Sequence, residues 1–447
     1  MGKLTRRDLI KLGGITAAGM AASSELVRPA PAQAALVGPM ISRQTRADVP
    51  AAQGPRLVVI GGGTSGLTIA KYAKREHPSF DVVLVEKRDM YESCFTSNLL
   101  YSDVTTLEFN ANESFLDAAK NNNYTYFNAT AIGLDRDTRR VYTNRGWLAY
   151  DFLVIAPGID YDYSRAGVND PAAEYMLRTQ YPGGFTMPTE HITIRRKVHE
   201  FSGGVFVQTV PGGNYRCLPA PYERACMIAA YFKKNNIRGK VLILDHNPEI
   251  TIKAHGFHAA FNDLYPTIIE YKPSVDISGI DPVKRVITTE FESYSFDDAA
   301  IYPGIRASVL IEQFGLVDPS SLQKEAHIDP FKYNVIGDER VYVTGDSRPM
   351  PYSKSGNTSN SEGHYVAKVL AARAQGKDIS WASPETLCYS MVEIDPDEAI
   401  SVDAFYAYNT ATKSFGFTNV KMDETRDQEK GRAYLEWAKG LYRDMFD

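Results

Sequence analysis

Short apolar runs alternate with amphipathic stretches along most of this chain. Arg56-Leu57-Val58-Val59-Ile60 and Asp81-Val82-Val83-Leu84-Val85-Glu86 are near-continuous apolar runs of strand length. Between them a helical pattern through Ile69, Ala70, Tyr72 and Ala73 ends near His77-Pro78. Runs apolar on both faces read as strands of a buried parallel sheet, and the stretch between them as a crossover helix. The order returns at Gly204-Val205-Phe206-Val207-Gln208-Thr209-Val210, at a helical pattern over 225–234, and at Lys240-Val241-Leu242-Ile243-Leu244-Asp245. Further strands are predicted at 150–155 and 340–344, a helix over 361–375, and a terminal helix through Leu435, Ala438, Leu441, Tyr442, Met445 and Phe446. The prediction is an α/β fold with two Rossmann-like dinucleotide-binding domains and a small C-terminal α+β domain.

The N-terminus reads differently. Thr5-Arg6-Arg7-Asp8-Leu9-Ile10-Lys11, a weakly apolar stretch over 12–23 and the small-residue site Ala32-Gln33-Ala34 have the form of a twin-arginine export signal. The expectation is a signal peptide over 1–34 cleaved near Ala34/Ala35, then a linker over 35–55, and a periplasmic location. Cleavage removes five basic and two acidic residues, taking the formal net charge from −5 to −8. This balance offers nothing to nucleic acid. The terminal helical stripe lacks a basic polar face, which disfavours membrane docking. The eight histidines are scattered, without metal-ligand spacing, so no metal site is expected.

The turn after the first strand is Gly61-Gly62-Gly63-Thr64-Ser65-Gly66. Gly61 permits the tight turn, Gly63 lets backbone approach a pyrophosphate, and Gly66 lets helix and strand touch. Glu86, at the end of the next strand, is placed to bind a ribose. Strand, G-x-G-x-x-G, helix, strand and carboxylate together form the dinucleotide fingerprint. Two later segments favour FAD over NAD: the strand running into Ala156-Pro157-Gly158, and Val343-Thr344-Gly345-Asp346, whose Asp346 matches the ribityl ligand of two-dinucleotide-domain flavoproteins. The predicted FAD-binding domain is discontinuous, over 56–166 and 305–378. The second domain, over 167–304, carries no NAD fingerprint: its loop is Pro211-Gly212-Gly213-Asn214-Tyr215-Arg216-Cys217-Leu218-Pro219-Ala220-Pro221-Tyr222-Glu223-Arg224. Bulky residues and prolines replace the glycines that would cradle a pyrophosphate, and the loop presents a cysteine and a carboxylate instead. The C-terminal domain, over 379–447, carries Cys388.

Val58–Gly66, Tyr91-Glu92-Ser93-Cys94-Phe95-Thr96-Ser97-Asn98, the 215–224 loop, Val343–Asp346, 350–360 and Leu387-Cys388-Tyr389-Ser390 resemble the flavoprotein subunit of flavocytochrome c sulfide dehydrogenase. The resemblance implies a glutathione-reductase-like fold and FAD held covalently at Cys94 by an 8α thioether. It further implies a redox-active Cys217–Cys388 disulfide beside the flavin and Glu223 as an active-site carboxylate. Sulfide is the implied substrate and sulfur or polysulfide the product. The chain has no C-x-x-C-H haem motif, so a separate c-type cytochrome subunit is the implied electron acceptor. Spacing alone leaves other arrangements open: a structural thiol at Cys94, an inert bridge, a Cys217–Cys226 pair, or Glu223 paired with Arg216 or Arg224. Functional alternatives are a membrane-associated sulfide:quinone oxidoreductase and a non-catalytic, redox-responsive flavoprotein binding partner.

Overall fold

The computed structural model describes residues 45–186 and 188–447. The export signal and most of the linker expected at the N-terminus lie outside the described residues. Arg56–Ile60, buried throughout, pairs in parallel with Asp81–Glu86 on one side and Phe152–Ile155 on the other. Val341–Val343 and Thr125–Asn128 complete a five-stranded parallel sheet. Its register sets Ile60 beside Val85 and Ile155, and Val343 beside Ile155. The turns that follow these strands therefore gather at one carboxyl edge, where open α/β sheets bind their ligands. The fingerprint helix, Thr64–Glu76, starts at Gly63 and carries Lys74 and Arg75 in its last turn, where they complement the helix dipole.

Gly204–Val210, Gly239–Asp245, Ile269–Lys272 and Asp298–Ala300 form a second parallel sheet. The chain passes between the two sheets through an antiparallel ribbon of Ile159–Asp162 and Gly304–Ala307. The C-terminal segment is a three-stranded antiparallel sheet, Thr386–Ile394, Asp397–Asn409 and Ser414–Asp427, followed by the helix Gln428–Phe446. That helix buries Tyr434, Ala438, Leu441, Tyr442, Met445 and Phe446; Leu435, which the sequence pattern placed in the stripe, is half-buried, and Tyr434 takes the inward position. Burying each large apolar side chain of this kind is worth about 1.5–3 kcal/mol. Asp444 adds polar specificity by accepting from Tyr72 Oη at 2.6 Å and Asn360 Nδ2 at 2.7 Å, with His364 Nε2 at 3.0 Å. The helix is thereby fixed to the body of the protein.

Two helices begin earlier than the sequence pattern predicts. The helix expected over 225–234 spans Ala220–Lys234, with Pro219 at its N-cap and Pro221 in its first turn. Proline is tolerated there because the first turn has no intrahelical partner for its N–H. Glu223 therefore stands on a helix and not in the loop. The helix expected over 361–375 spans Gly356–Ala374, capped by Ser355, whose side chain accepts from the Thr358 N–H. Its polar first turn, Gly-Asn-Thr-Ser-Asn, carries no apolar periodicity to announce it.

Candidate active site

The three fingerprint glycines do different work. Gly61 has φ +97°, and a Cβ there would sit 2.3 Å from the Ala156 carbonyl oxygen. A Cβ on Gly66 would stand 1.9 Å from the Gly61 carbonyl oxygen, so this glycine is required by strand–helix contact. A Cβ on Gly63 would meet nothing within 4 Å, and the same holds at Gly158, which has φ +78°. Both face a cleft that Gly61, Glu86, Arg88, Glu92, Cys94 and Arg216 also line. Glu86 accepts from the Gly62 N–H at 2.7 Å and pairs with Arg88 at 2.9 Å. Burial alone would raise its pKa; the Arg88 charge and these hydrogen bonds outweigh burial and hold it below the usual carboxylate range. Glu92 lies in the same cleft with Oε1 buried and unpartnered, and burial pushes its pKa up to about 8.

Asp346 is held by its neighbours rather than by chance. Gly345, at φ +67°, donates its N–H to Glu362 Oε1 at 2.7 Å, and Glu362 Oε2 pairs with Arg348 Nε at 2.6 Å. Lys354 Nζ donates to the Asp346 carbonyl at 2.7 Å, and Arg216 Nε lies 3.2 Å from Asp346 Oδ2. The other carboxylate oxygen, Oδ1, is buried without a partner. A buried carboxylate oxygen with no donor calls for one from a ligand. Gly63 and Gly158 leave room for backbone approach, the helix N-terminus favours phosphate, Glu86 suits a ribose, and Asp346 Oδ1 suits a further hydroxyl. The residues fit FAD.

The cleft is continuous in its lining with a second, smaller cavity. Cys94, Arg216 and Phe185 line both. The smaller cavity, ≈ 30 Å³, also collects Cys217, Glu223, Cys388 and Tyr434. Distant parts of the chain thus meet here, among them the segment after the second strand, the second-domain loop and the helix that follows it, residues 354–357, the Thr386–Ile394 strand and the last helix. All four cysteines are thiols in this structure; Cys226 is wholly buried in its helix, while the other three are partly buried.

Cys217 occupies the left-handed region at φ +58°, which is uncommon for a residue with a Cβ. Its N–H donates to the Lys354 carbonyl at 2.8 Å, and Arg216 bridges Lys354 as a single β-pair. The loop that would wrap a pyrophosphate in a second nucleotide site is instead sewn to the segment after Asp346. Glu223 accepts from Asn98 Nδ2 at 2.7 Å and from the Met391 N–H at 2.8 Å. Arg216 and Arg224, the partners offered by sequence proximity, are engaged elsewhere: Arg216 with Asp346 and the Phe185 carbonyl, Arg224 with the Gly183 carbonyl. Burial raises the Glu223 pKa, and its hydrogen bonds to Asn98 and Met391 offset only part of that rise. Burial also pushes both cavity thiols up; at each, Glu223 adds to the rise and Lys253 opposes it, and the Cys388 sulfur adds further at Cys217.

Asn98, Lys253 and Tyr434 were not singled out by sequence motifs. Asn98 lies within the Cys94 segment, so a search outward from Cys94 finds it. Lys253 and Tyr434 carry no local signal, because they reach the cavity only through tertiary contact.

Two parallel sheets joined by an antiparallel ribbon, with a cleft suited to FAD, define an oxidoreductase of the two-dinucleotide-domain class. Residues 55–174 match the pyridine nucleotide-disulphide oxidoreductase family. Residues 192–303 match the central part of the sulfide dehydrogenase [flavocytochrome c] flavoprotein chain, and residues 381–446 match the flavocytochrome c sulphide dehydrogenase flavin-binding family. The chain belongs to the family of flavocytochrome c sulfide dehydrogenase flavoprotein chains, which are FAD-dependent oxidoreductases. It is 44% identical over 43 residues, 10% of this chain and 90% of that one, to the sulfide dehydrogenase [flavocytochrome c] flavoprotein chain of Chlorobaculum thiosulfatiphilum. It is 25% identical over 192 residues to the mitochondrial sulfide:quinone oxidoreductase of Mus musculus, 42% of this chain and 41% of that protein's length. Among solved structures, the sulfide:quinone oxidoreductase of Aquifex aeolicus superposes with a TM-score of 0.70 at 16% identity, over 88% of this chain and 92% of that one. Putidaredoxin reductase, in its covalent complex with putidaredoxin, superposes with a TM-score of 0.61 at 14% identity, over 88% and 96%. Both structural likenesses concern the fold.

Proposed function

We propose that this protein oxidises hydrosulfide to sulfur or polysulfide at a Cys217–Cys388 disulfide and passes the electrons, through FAD, to a c-type cytochrome subunit in the periplasm. The carrying observation is that Cys217, Cys388 and Glu223 line one cavity of ≈ 30 Å³ whose wall includes Cys94. A cavity of that size has room for a water-sized ligand, which suits a hydrosulfide ion.

Hydrosulfide needs no activation as a nucleophile. It attacks one sulfur of the bridge; a new S–S bond forms there as a persulfide, the Cys217–Cys388 bond breaks, and the other cysteine leaves as a thiolate. The substrate sulfur is oxidised by one level and the bridge is reduced. Glu223, whose proton affinity is raised by burial, lines the same cavity and is suited to take the persulfide proton. Bound FAD supplies an acceptor for an electron pair that is returned one electron at a time, which suits a haem partner. Gly61, Gly63, Gly66, Glu86, Gly158 and Asp346 are the residues assigned to hold it, with Cys94, at the junction of cleft and cavity, as its covalent anchor.

Anaerobic titration of the purified protein with sulfide tests this reading. Flavin bleaching is expected in the native protein and its loss in Cys217→Ser and Cys388→Ser; bleaching that survives both substitutions refutes the disulfide. Flavin released into the supernatant on acid precipitation refutes the Cys94 thioether. Similarity to sulfide:quinone oxidoreductases supports a second reading, with quinone as acceptor; faster reduction of a soluble quinone than of a c-type cytochrome would favour it.

A further inference from the structure

Lys253 lies behind Cys388. It is 1% exposed and stands at the N-cap of the helix Ala254–Leu264 with φ +57°. Nothing about that placement favours lysine. A left-handed backbone is costly for a residue with a Cβ, and a cation at a helix N-terminus opposes the dipole. A buried ammonium also calls for an anion. Its ammonium donates to Ser390 Oγ at 2.7 Å, lies 3.5 Å from the Cys388 carbonyl oxygen and 3.9 Å from the Cys388 sulfur. None of these partners is a carboxylate. The sulfur is the one that can become an anion.

We infer that Lys253 is a catalytic residue whose ammonium neutralises the anionic form of the Cys388 sulfur. The inference rests on the disulfide reading above and adds to it a division of labour between the two cysteines. When the Cys217–Cys388 bond opens, the sulfur left on Cys388 is negative, whether as thiolate or as ionised persulfide, and Lys253 is the cation in contact with it. The other ionisable groups facing Cys388 are Glu223 from the Ala220–Lys234 helix, Cys217 from its loop and Tyr434 from the last helix. None of them is a cation. Lys253 lowers the Cys388 pKa while Glu223 raises it, and Lys253 lowers that of Glu223 as well. The cations Arg216 and Lys354 also line the cavity but are no substitute: Arg216 is committed to Asp346 and the Phe185 carbonyl, and Lys354 to Glu325 and the Asp346 carbonyl.

The test is the pH dependence of alkylation, which needs no sulfide. The flavin-loaded protein is reduced anaerobically with a phosphine and treated with iodoacetamide, and each cysteine is followed by peptide mass spectrometry. In the native protein Cys388 is expected to react at lower pH than Cys217. Lys253→Met is expected to slow Cys388 alkylation about tenfold near pH 7, equivalent to one pKa unit, and Lys253→Arg to stay within about threefold of native. An unchanged Cys388 profile in Lys253→Met overturns the inference, as does equal loss in Lys253→Arg. If Lys253→Met does not fold, the native comparison decides: Cys388 reacting no earlier than Cys217 overturns it. Failure of sulfide to bleach the native flavin, with a Lys253-dependent alkylation profile intact, would instead sink the sulfide reading and leave the role of Lys253 standing.

Discussion

Gly63→Ala and Gly66→Ala, two substitutions three residues apart, should fail in opposite ways. Gly63 has φ −72° and ψ −178°, an extended conformation that alanine adopts freely, and its added methyl meets nothing within 4 Å. Where the native backbone accommodates the change, glycine to alanine stabilises by about 0.4–1 kcal/mol through the unfolded state. Gly63→Ala is therefore expected to match or exceed the native protein in urea unfolding of the flavin-free form. The methyl projects into the cleft assigned to the pyrophosphate, so FAD affinity should fall at least tenfold, about 1.4 kcal/mol. Gly66→Ala puts a methyl 1.9 Å from the Gly61 carbonyl oxygen, a backbone atom that cannot swing aside. Overpacking of this kind costs about 1–3 kcal/mol or more, and the loss should appear in the flavin-free protein. Urea titration and fluorescence-monitored FAD binding, both in a Cys94→Ser background so that flavin can exchange, separate the two outcomes. Native FAD affinity in Gly63→Ala would refute the assignment of the cleft, and native stability in Gly66→Ala would refute the contact.

In the same background, Asp346→Ala removes the buried unpartnered Oδ1 and should weaken FAD binding by about 1.5–3 kcal/mol, the range for a hydrogen bond to a charged group, read by the same titration. Glu92→Gln tests a carboxyl whose pKa is raised to about 8 by burial. A raised pKa means the folded state prefers the proton, so stability is fully present below about pH 4.5 and falls as pH rises toward about 8. The variant should therefore melt higher than the native flavin-free protein at pH 8 and alike at pH 4. Asp444 has the opposite sign: burial would raise its pKa, but hydrogen bonds from His364, Asn360 and Tyr72 bring it below the ordinary aspartate value of about 3.9. Its contribution is present above that value and lost as pH falls through its depressed pKa. Asp444→Asn should lower stability at neutral pH by about 1–3 kcal/mol and flatten the acid limb of a pH–stability curve.

Legibility in the sequence followed the range of the interactions involved. The fingerprint was readable because Gly61, Gly63 and Gly66 act within one turn, and Asp346 because a strand ending in Gly-Asp is a local feature. Strand bounds such as Asp81–Glu86 and Gly204–Val210 were readable because parallel strands are buried on both faces. Helix starts were not, where proline or a polar first turn concealed them, and so Glu223 passed for a loop residue. The hydrogen bonds of Glu223 to Asn98 and Met391 span 125 and 168 residues, and that of Lys253 to Ser390 spans 137. No periodicity within either segment encodes such partners.

The placement of Cys388 has a bearing on how this protein is made. The chain emerges from the ribosome N-terminus first, and domains fold as they appear. Cys94, Cys217 and Cys226 are all synthesised before the strand that carries Cys388, and Cys226 is withdrawn into the Ala220–Lys234 helix. Cys217 and Cys388 therefore cannot meet until that strand has been made. A chain that stops short of its final strands retains the fingerprint glycines, Glu86, Cys94, Cys217 and Asp346 but lacks Cys388. On the proposed mechanism, such a chain has no bridge for sulfide to attack.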